Sequence, residues 1–249
     1  MVNIIGAVCK LGQQKNGVQS APFVIKELIG FKYNYHNVNI KYNLDYYKLF
    51  NRHNELHKPI TIGGDHSISM ATVGSSLKKH DNLKVLWIDA HADINTPESS
   101  PSKSIHGMPV STLLGQSHLM HIPVKLKRDN LSYIGLRDID DYEYKELETI
   151  RWYSSKCVHN QGVGKILKEL NYSEDDKIHI SLDVDVLDPK YFPATGTPVA
   201  NGLNPEHVYN IIHILKENIV SMDIVEYNPV INNNYECKRF ILNCIRHTF

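Results

Sequence analysis

Short apolar runs rich in β-branched residues alternate along this chain with stretches whose apolar positions recur at helical spacing. The runs at residues 3–8, 59–62, 83–88, 131–134, 177–182 and 219–225 mostly lack polar alternation. That is the pattern of parallel strands covered on both faces. Between them, residues 22–29, 67–79, 143–148, 162–170 and 205–217 read as amphipathic helices. The last opens on Asn204-Pro205, a cap followed by proline in the first helical turn. Strands alternating with helices predict an α/β fold, a doubly wound, mostly parallel β-sheet flanked by helices. No Gly/Ser linker, low-complexity tract or internal repeat interrupts the pattern, so residues 1–249 read as a single domain.

Composition narrows the class. Lys plus Arg number 27 and Asp plus Glu number 27, so no net charge draws the chain to nucleic acid or to a membrane surface. No window approaches the roughly 18 apolar residues that span a bilayer. Met1-Val2-Asn3-Ile4-Ile5-Gly6 lacks the basic start and long apolar run of a signal peptide. Cys9, Cys157, Cys237 and Cys244 lie far apart with no CxxC pair, and read as reduced, mostly buried thiols. A soluble cytoplasmic protein is expected.

Polar residues of unusual type stand where the strands end, and there α/β sheets bind their ligands. The run at 83–88 leads into Asp89-Ala90-His91-Ala92-Asp93. If strand geometry persists, Asp89, His91 and Asp93 share one face. The run at 177–182 leads into Asp183-Val184-Asp185, and 59–62 into Gly63-Gly64-Asp65-His66-Ser67. Any one of these occurs in ordinary turns and helix caps. Together they supply four carboxylates and two imidazoles, which stay poorly compensated unless cations sit among them. With no thiolate present, such a set suits Mn²⁺. Two ions about 3.5–4 Å apart can activate a water for hydrolysis.

These three segments resemble the metal-binding signatures of the ureohydrolase (arginase) family. Ile105-His106-Gly107-Met108-Pro109-Val110, Tyr133 to Asp138, Ala194 to Val199 and Asp223 to Pro229 resemble further segments of it, in the family's order. The resemblance implies two Mn²⁺ per chain, held by His66, Asp89, His91, Asp93, Asp183 and Asp185, with Asp89 and Asp183 bridging. It implies that a bridging hydroxide attacks a guanidinium carbon. Asp93 would pass a proton to the departing amine, His106 would shuttle protons to solvent, and Glu226 would hold the guanidinium, a planar cation suited to a bidentate acceptor.

For the substrate, Asn95 and Ser102 are similar to residues that bind an α-carboxylate, and Asp140 with Glu143 to the acidic group facing an α-ammonium. Thr197 falls in a matching segment and is grouped with them. The implied reaction is hydrolysis of L-arginine to L-ornithine and urea. Agmatinase, guanidinobutyrase or formiminoglutamase activity shares every metal ligand and stays open, as does a catalytically silent binding protein on the same fold. The chain departs from the family at Lys103 and Ser104, where small or amide residues are usual, and in a shortened stretch before Gly63. Homo-oligomers are common in the family, but residues 201–207 lack its usual residues near the subunit contact, which sets the common trimer in question.

Overall fold

The computed structural model describes residues 2–30 and 33–249. Among them the strands are β1 (Val2–Val8), β2 (Tyr33–Asn39), β3 (Ile60–Ile62), β4 (Lys84–Ile88), β5 (Leu131–Leu136), β6 (Arg151–Ser154), β7 (Ile178–Asp183) and β8 (Ile219–Val225). They form a parallel sheet in the order β2-β1-β3-β8-β7-β4-β5-β6. The chain steps outward from β1 to β2 and returns past β1 to β3. It then crosses the sheet to β4 and moves outward again through β5 and β6. Last, β7 and β8 fill the gap between β3 and β4. Four strands from distant parts of the sequence therefore lie side by side at the centre.

Helices cover both faces. Against one pack α1 (Ala21–Ile29), α6 (Ser155–Gln161), α7 (Val163–Leu170), α8 (Pro205–Leu215) and α9 (Tyr235–His247), around Ile4, Ile62, Leu86, Ile88, Ile180 and Leu182. Against the other pack α2 (Tyr46–Glu55), α3 (Ser69–Lys79), α4 (Pro109–Leu114) and α5 (Asp141–Leu147), around Ile5, Val85, Trp87 and Tyr133. Neighbouring residues such as Leu86 and Trp87 point to opposite cores, and both are fully buried. This is why the run reads as uniformly apolar. Asn204 caps α8 by accepting from the His207 N–H, and Pro205 fills its first turn, as the sequence predicts.

Two readings are corrected. β7 and β8 do alternate: His179, Ser181, Ser221 and Asp223 are buried polar residues on the face turned to α3. They read as apolar because the intervening isoleucines and leucines dominate each window. The 67–79 helix is also interrupted, since His66–Ile68 forms a single tight turn before α3 begins at Ser69. β2, β6, α2, α4, α6 and α9 lie outside the six strands and five helices read from the pattern. β2 and β6 are half-exposed edge strands with polar sequences, so no apolar run marks them.

Gly64 is where the backbone leaves β3 for the site. A Cβ there would lie 1.8 Å from the Cys9 carbonyl oxygen. Gly164, by contrast, is exposed in α7 with open space around it. Gly64→Ala should destabilise the protein by about 3 kcal/mol or more. Gly164→Ala should stabilise it by up to about 1 kcal/mol, by removing backbone entropy from the unfolded chain. Urea unfolding of the two variants checks both signs.

Candidate metal centre

The carboxyl ends of β3, β8, β7 and β4 deliver His66, Glu226, Asp183 and Asp89 to one place. At the end of β4 the strand stops at Ile88 rather than continuing. Asp93 takes a left-handed backbone, φ 53°, so Asp89, His91 and Asp93 do not alternate along a strand. They converge through a tight loop in which the His91 N–H donates to Asp89 Oδ1 (2.8 Å). Asp183 likewise accepts the Asp185 N–H (2.8 Å) across a single turn. The six candidate ligands do meet, but loop geometry brings them together.

Five of them form two triads that share one carboxylate, and Asp183 joins through its contact with His66. His66, Asp89 and Asp93 make the first, and Asp89, His91 and Asp185 the second, with ligand atoms within 4.8 Å of one another in each. His66 Nδ1 lies 3.1 Å from Asp89 Oδ2, 2.9 Å from Asp93 Oδ2 and 3.2 Å from Asp183 Oδ2. His91 Nδ1 lies 3.5 Å from Asp89 Oδ1 and 3.2 Å from Asp185 Oδ2. Each oxygen of Asp89 thus faces a different imidazole.

The chemistry of the donors fits cations. His66 Nε2 is 2.9 Å from Ser181 Oγ, and that hydroxyl donates to Asp223 Oδ1 (2.7 Å). Ser181 must therefore accept from Nε2–H, which leaves the Nδ1 lone pair aimed at the carboxylates. His66 Nδ1 and Asp93 Oδ2 are buried and have no hydrogen-bond partner. Two buried lone pairs 2.9 Å apart repel unless a cation or a proton lies between them. The acidities record the same stress. Burial alone would lower the His66 pKa, but Asp93, Asp183 and Asp89 hold it well above its ordinary value. Burial, with the charge of Asp89, pushes Asp93 up to about 6.

Further residues hold the ligands. Arg137, Asp138 and Asp223 fall in segments noted for their resemblance but given no role, and Trp87, Thr72 and His179 were not singled out from the sequence. Trp87 stacks on His66 with centroids 4.3 Å apart and donates Nε1–H to Asp89 Oδ2 (3.0 Å). Asp138 lies 3.5 Å from the outer nitrogen of His91. Arg137 donates to the carbonyls of Asp185 (2.7 Å) and Val199 (2.8 Å), tying the 185–200 segment to the end of β5. Asp223 also accepts from Thr72 (2.6 Å) and His179 Nε2 (3.0 Å). Isolated polar positions in apolar strands were the available signal.

A cavity of about 220 Å³ opens over the triads. His91, Asp93, Asn95, Ser102, His106, Asp140, Glu143, Asp183, Asp185 and Thr197 all reach its walls, whereas His66, Asp89 and Glu226 lie behind them. Several wall residues also serve the scaffold. The Thr197 hydroxyl donates to Asp185 Oδ2 (2.8 Å). Asn95 donates to Asp140 Oδ2 (2.8 Å). Glu143 accepts the N–H groups of Ile94 and Asp140, both at 3.1 Å, and caps α5. Burial pushes its carboxyl up to about 7.

Glu226 sits in a left-handed backbone, φ 64°, with both oxygens engaged. Oε1 accepts from the His66 N–H (2.9 Å) and faces His106 Nδ1 (3.2 Å), while Oε2 accepts from Gln13 Nε2 (3.1 Å). Gln13 was not anticipated.

The Arginase family model matches residues 1–248 of the chain. An arginase from Plasmodium berghei is 39% identical over 194 residues, covering 70% of this chain and 54% of that protein. The chain spans about half the length of that relative. Among solved structures, Entamoeba histolytica arginase in complex with L-ornithine superposes with a TM-score of 0.91 at 29% identity, over 100% of this chain and 98% of that one. Bacillus subtilis arginase gives 0.91 at 30%, over 99% and 97%.

The His106–Glu226 pair generates a pH dependence. Burial lowers the His106 pKa, but Glu226 outweighs it and raises the group from 6.5 to about 9. A base whose pKa rises on folding adds stability that is complete below pH 6.5 and lost as pH passes through about 9. The stability advantage of metal-free wild type over His106→Ala should therefore shrink by about 3 kcal/mol between about pH 6 and pH 10. Denaturant midpoints across that range check it, and a difference that stays flat would disprove the pairing.

Proposed function

The chain belongs to the arginase family, and from that premise we propose that it hydrolyses L-arginine to L-ornithine and urea with two Mn²⁺ per chain. The carrying observation is the pair of buried, unpartnered atoms His66 Nδ1 and Asp93 Oδ2 inside triads that share Asp89. His66, Asp89, His91, Asp93, Asp183 and Asp185 would hold the ions. All are carboxylate or imidazole donors, which favours manganese over metals that seek thiolate. When bound, the ions supply the Lewis acidity that makes a water nucleophilic at neutral pH.

The chain's own residues do the rest. Asp93 lines the cavity, where its carboxylate is placed to take a proton from the attacking water and give it to the departing amine. His106 stands at the cavity wall, 18% exposed and in contact with Glu226, placed to carry protons between the site and solvent. Glu226 is the buried carboxylate for the guanidinium. Its contact with His106 means that an incoming guanidinium replaces one cation with another. Asn95, Ser102, Asp140 and Glu143, all lining the cavity, supply the hydrogen-bonding and acidic groups that an α-carboxylate and α-ammonium need. Thr197 acts on the substrate wall through Asp185. A silent binding protein would have no use for this complete set. Agmatine offers no carboxylate to Asn95 and Ser102, which favours arginine.

Protein loaded with Mn²⁺ should release urea from L-arginine and far less from agmatine, with activity lost on chelation and restored by manganese. Asp183→Asn should lose bound metal together with activity. His106→Ala should keep its metal and lose roughly 10²–10⁴-fold in rate. Urea from agmatine alone would overturn the substrate, and metal loss in His106→Ala equal to that in Asp183→Asn would overturn the shuttle role.

A further inference from the structure

Lys103 interrupts a loop otherwise built of small polar residues, Thr96-Pro97-Glu98-Ser99-Ser100-Pro101-Ser102-Lys103-Ser104. It is exposed, and its backbone is left-handed at φ 57°, a conformation that lysine seldom adopts. Its side chain does not extend into water. Nζ turns back and donates to the carbonyls of Pro97 (2.8 Å) and Glu98 (3.1 Å), at the opposite end of the loop.

We propose that Lys103 is a positioning residue, a latch that closes the 97–103 loop and sets Ser100 and Ser102 on the wall of the substrate cavity. The kinetic part of this proposal rests on the arginine reading above. Ser100 and Ser102 line the cavity and Lys103 does not, so the lysine acts through them. The link is direct. The Lys103 N–H donates to Ser100 Oγ (3.1 Å), the Ser104 N–H donates to Ser102 Oγ (3.2 Å), and the two serine hydroxyls are 3.4 Å apart.

Thr96 and Ser100 are buried, and Ser104 Oγ accepts a long bond from Gln14 Nε2 (3.4 Å). Pro101, Ser102 and Lys103, however, are exposed, and bonds such as Thr96 N–H to Ser99 Oγ (2.9 Å) hold only the first turn. Hydroxyl-to-backbone bonds in a solvated loop compete with water and open readily. A charge-assisted bond to two carbonyls restricts the loop before substrate arrives, which lowers the ordering cost of binding. Tying down the ammonium also leaves the serine hydroxyls, rather than a mobile cation, to meet the carboxylate.

Lys103→Asn tests the latch, because asparagine tolerates the left-handed backbone but lacks the ammonium. Lys103→Arg restores a cationic donor. In the manganese-loaded protein, amide hydrogen exchange of peptides covering residues 96–106 should quicken about fivefold to tenfold in Lys103→Asn and return toward wild type in Lys103→Arg. KM for L-arginine should rise about threefold to tenfold in Lys103→Asn while kcat stays within about twofold, the mark of lost uniform binding. Unchanged exchange overturns the latch. Faster exchange with unchanged KM overturns its role in positioning substrate. If the wild type releases no urea from arginine, the substrate reading fails, and the exchange rates alone decide whether the latch exists.

Discussion

Four carboxylates and two imidazoles share one poorly solvated space at the carboxyl end of the sheet, and this crowding is the constraint on which the site depends. Asp89, Asp93, Asp183 and Asp185 are buried around two imidazoles, His66 Nδ1 lying within 3.2 Å of the first three and His91 Nδ1 within 3.5 Å of Asp89 and Asp185. Like charges at such distances in a low-dielectric interior cannot all persist without counter-charge. Without ions, the imidazoles and raised carboxyls must hold protons in their place. The strand order answers the geometric half of the problem. Because β7 and β8 enter last and fill the centre, Asp89 and Asp183, 94 positions apart in the sequence, end on adjacent strands.

The site is supported from behind by a buried polar seam between the sheet and α3. It runs from His53 and Ser75 through Ser76, His179, Ser221, Asp223 and Ser181 to His66. Burying so many polar groups is costly unless nearly all are bonded. Here His53 Nε2 and Thr61 Oγ1 are unpartnered members of that region. The seam explains why α3, with the sequence Ser69-Met70-Ala71-Thr72-Val73-Gly74-Ser75-Ser76, is buried over nearly all its length yet rich in hydroxyls. It also fixes which nitrogen of His66 faces the carboxylates, so the free lone pair of that imidazole is set by the seam between the sheet and α3.

Much of this was legible in the sequence, and what was not has specific physical causes. Parallel strands buried on both faces give mostly apolar runs, so the central strands were readable even where β7 and β8 turn polar residues toward α3, as was the arrival of His66, Asp89 and Asp183 at their ends. Edge strands β2 and β6 carry polar, half-exposed sequences that no apolar template matches. The roles of Ser181, Asp223 and Gln13 depend on contacts 42 to 213 positions apart in the chain, and that of Trp87 on stacking against His66, 21 positions away on another element. A pattern read along the sequence cannot place those. The Asp89-to-Asp93 motif was identified as a ligand cluster for an incomplete reason, since its residues converge through a left-handed turn at Asp93.

That turn and its counterpart at Glu226 bear on how the protein holds together. Both residues are non-glycine with positive φ, and both carry charge into the same buried volume. Conformations of this kind cost of order 1–3 kcal/mol each and persist where the surroundings over-determine them. Glu226 is held by the His66 N–H, His106 and Gln13. Asp93 has no such set of donors, and its Oδ2 is unpartnered. Its strain is offset only where a cation, or a proton in its place, lies between His66 Nδ1 and Asp93 Oδ2, so on the reading proposed above ion binding would also act as a folding interaction.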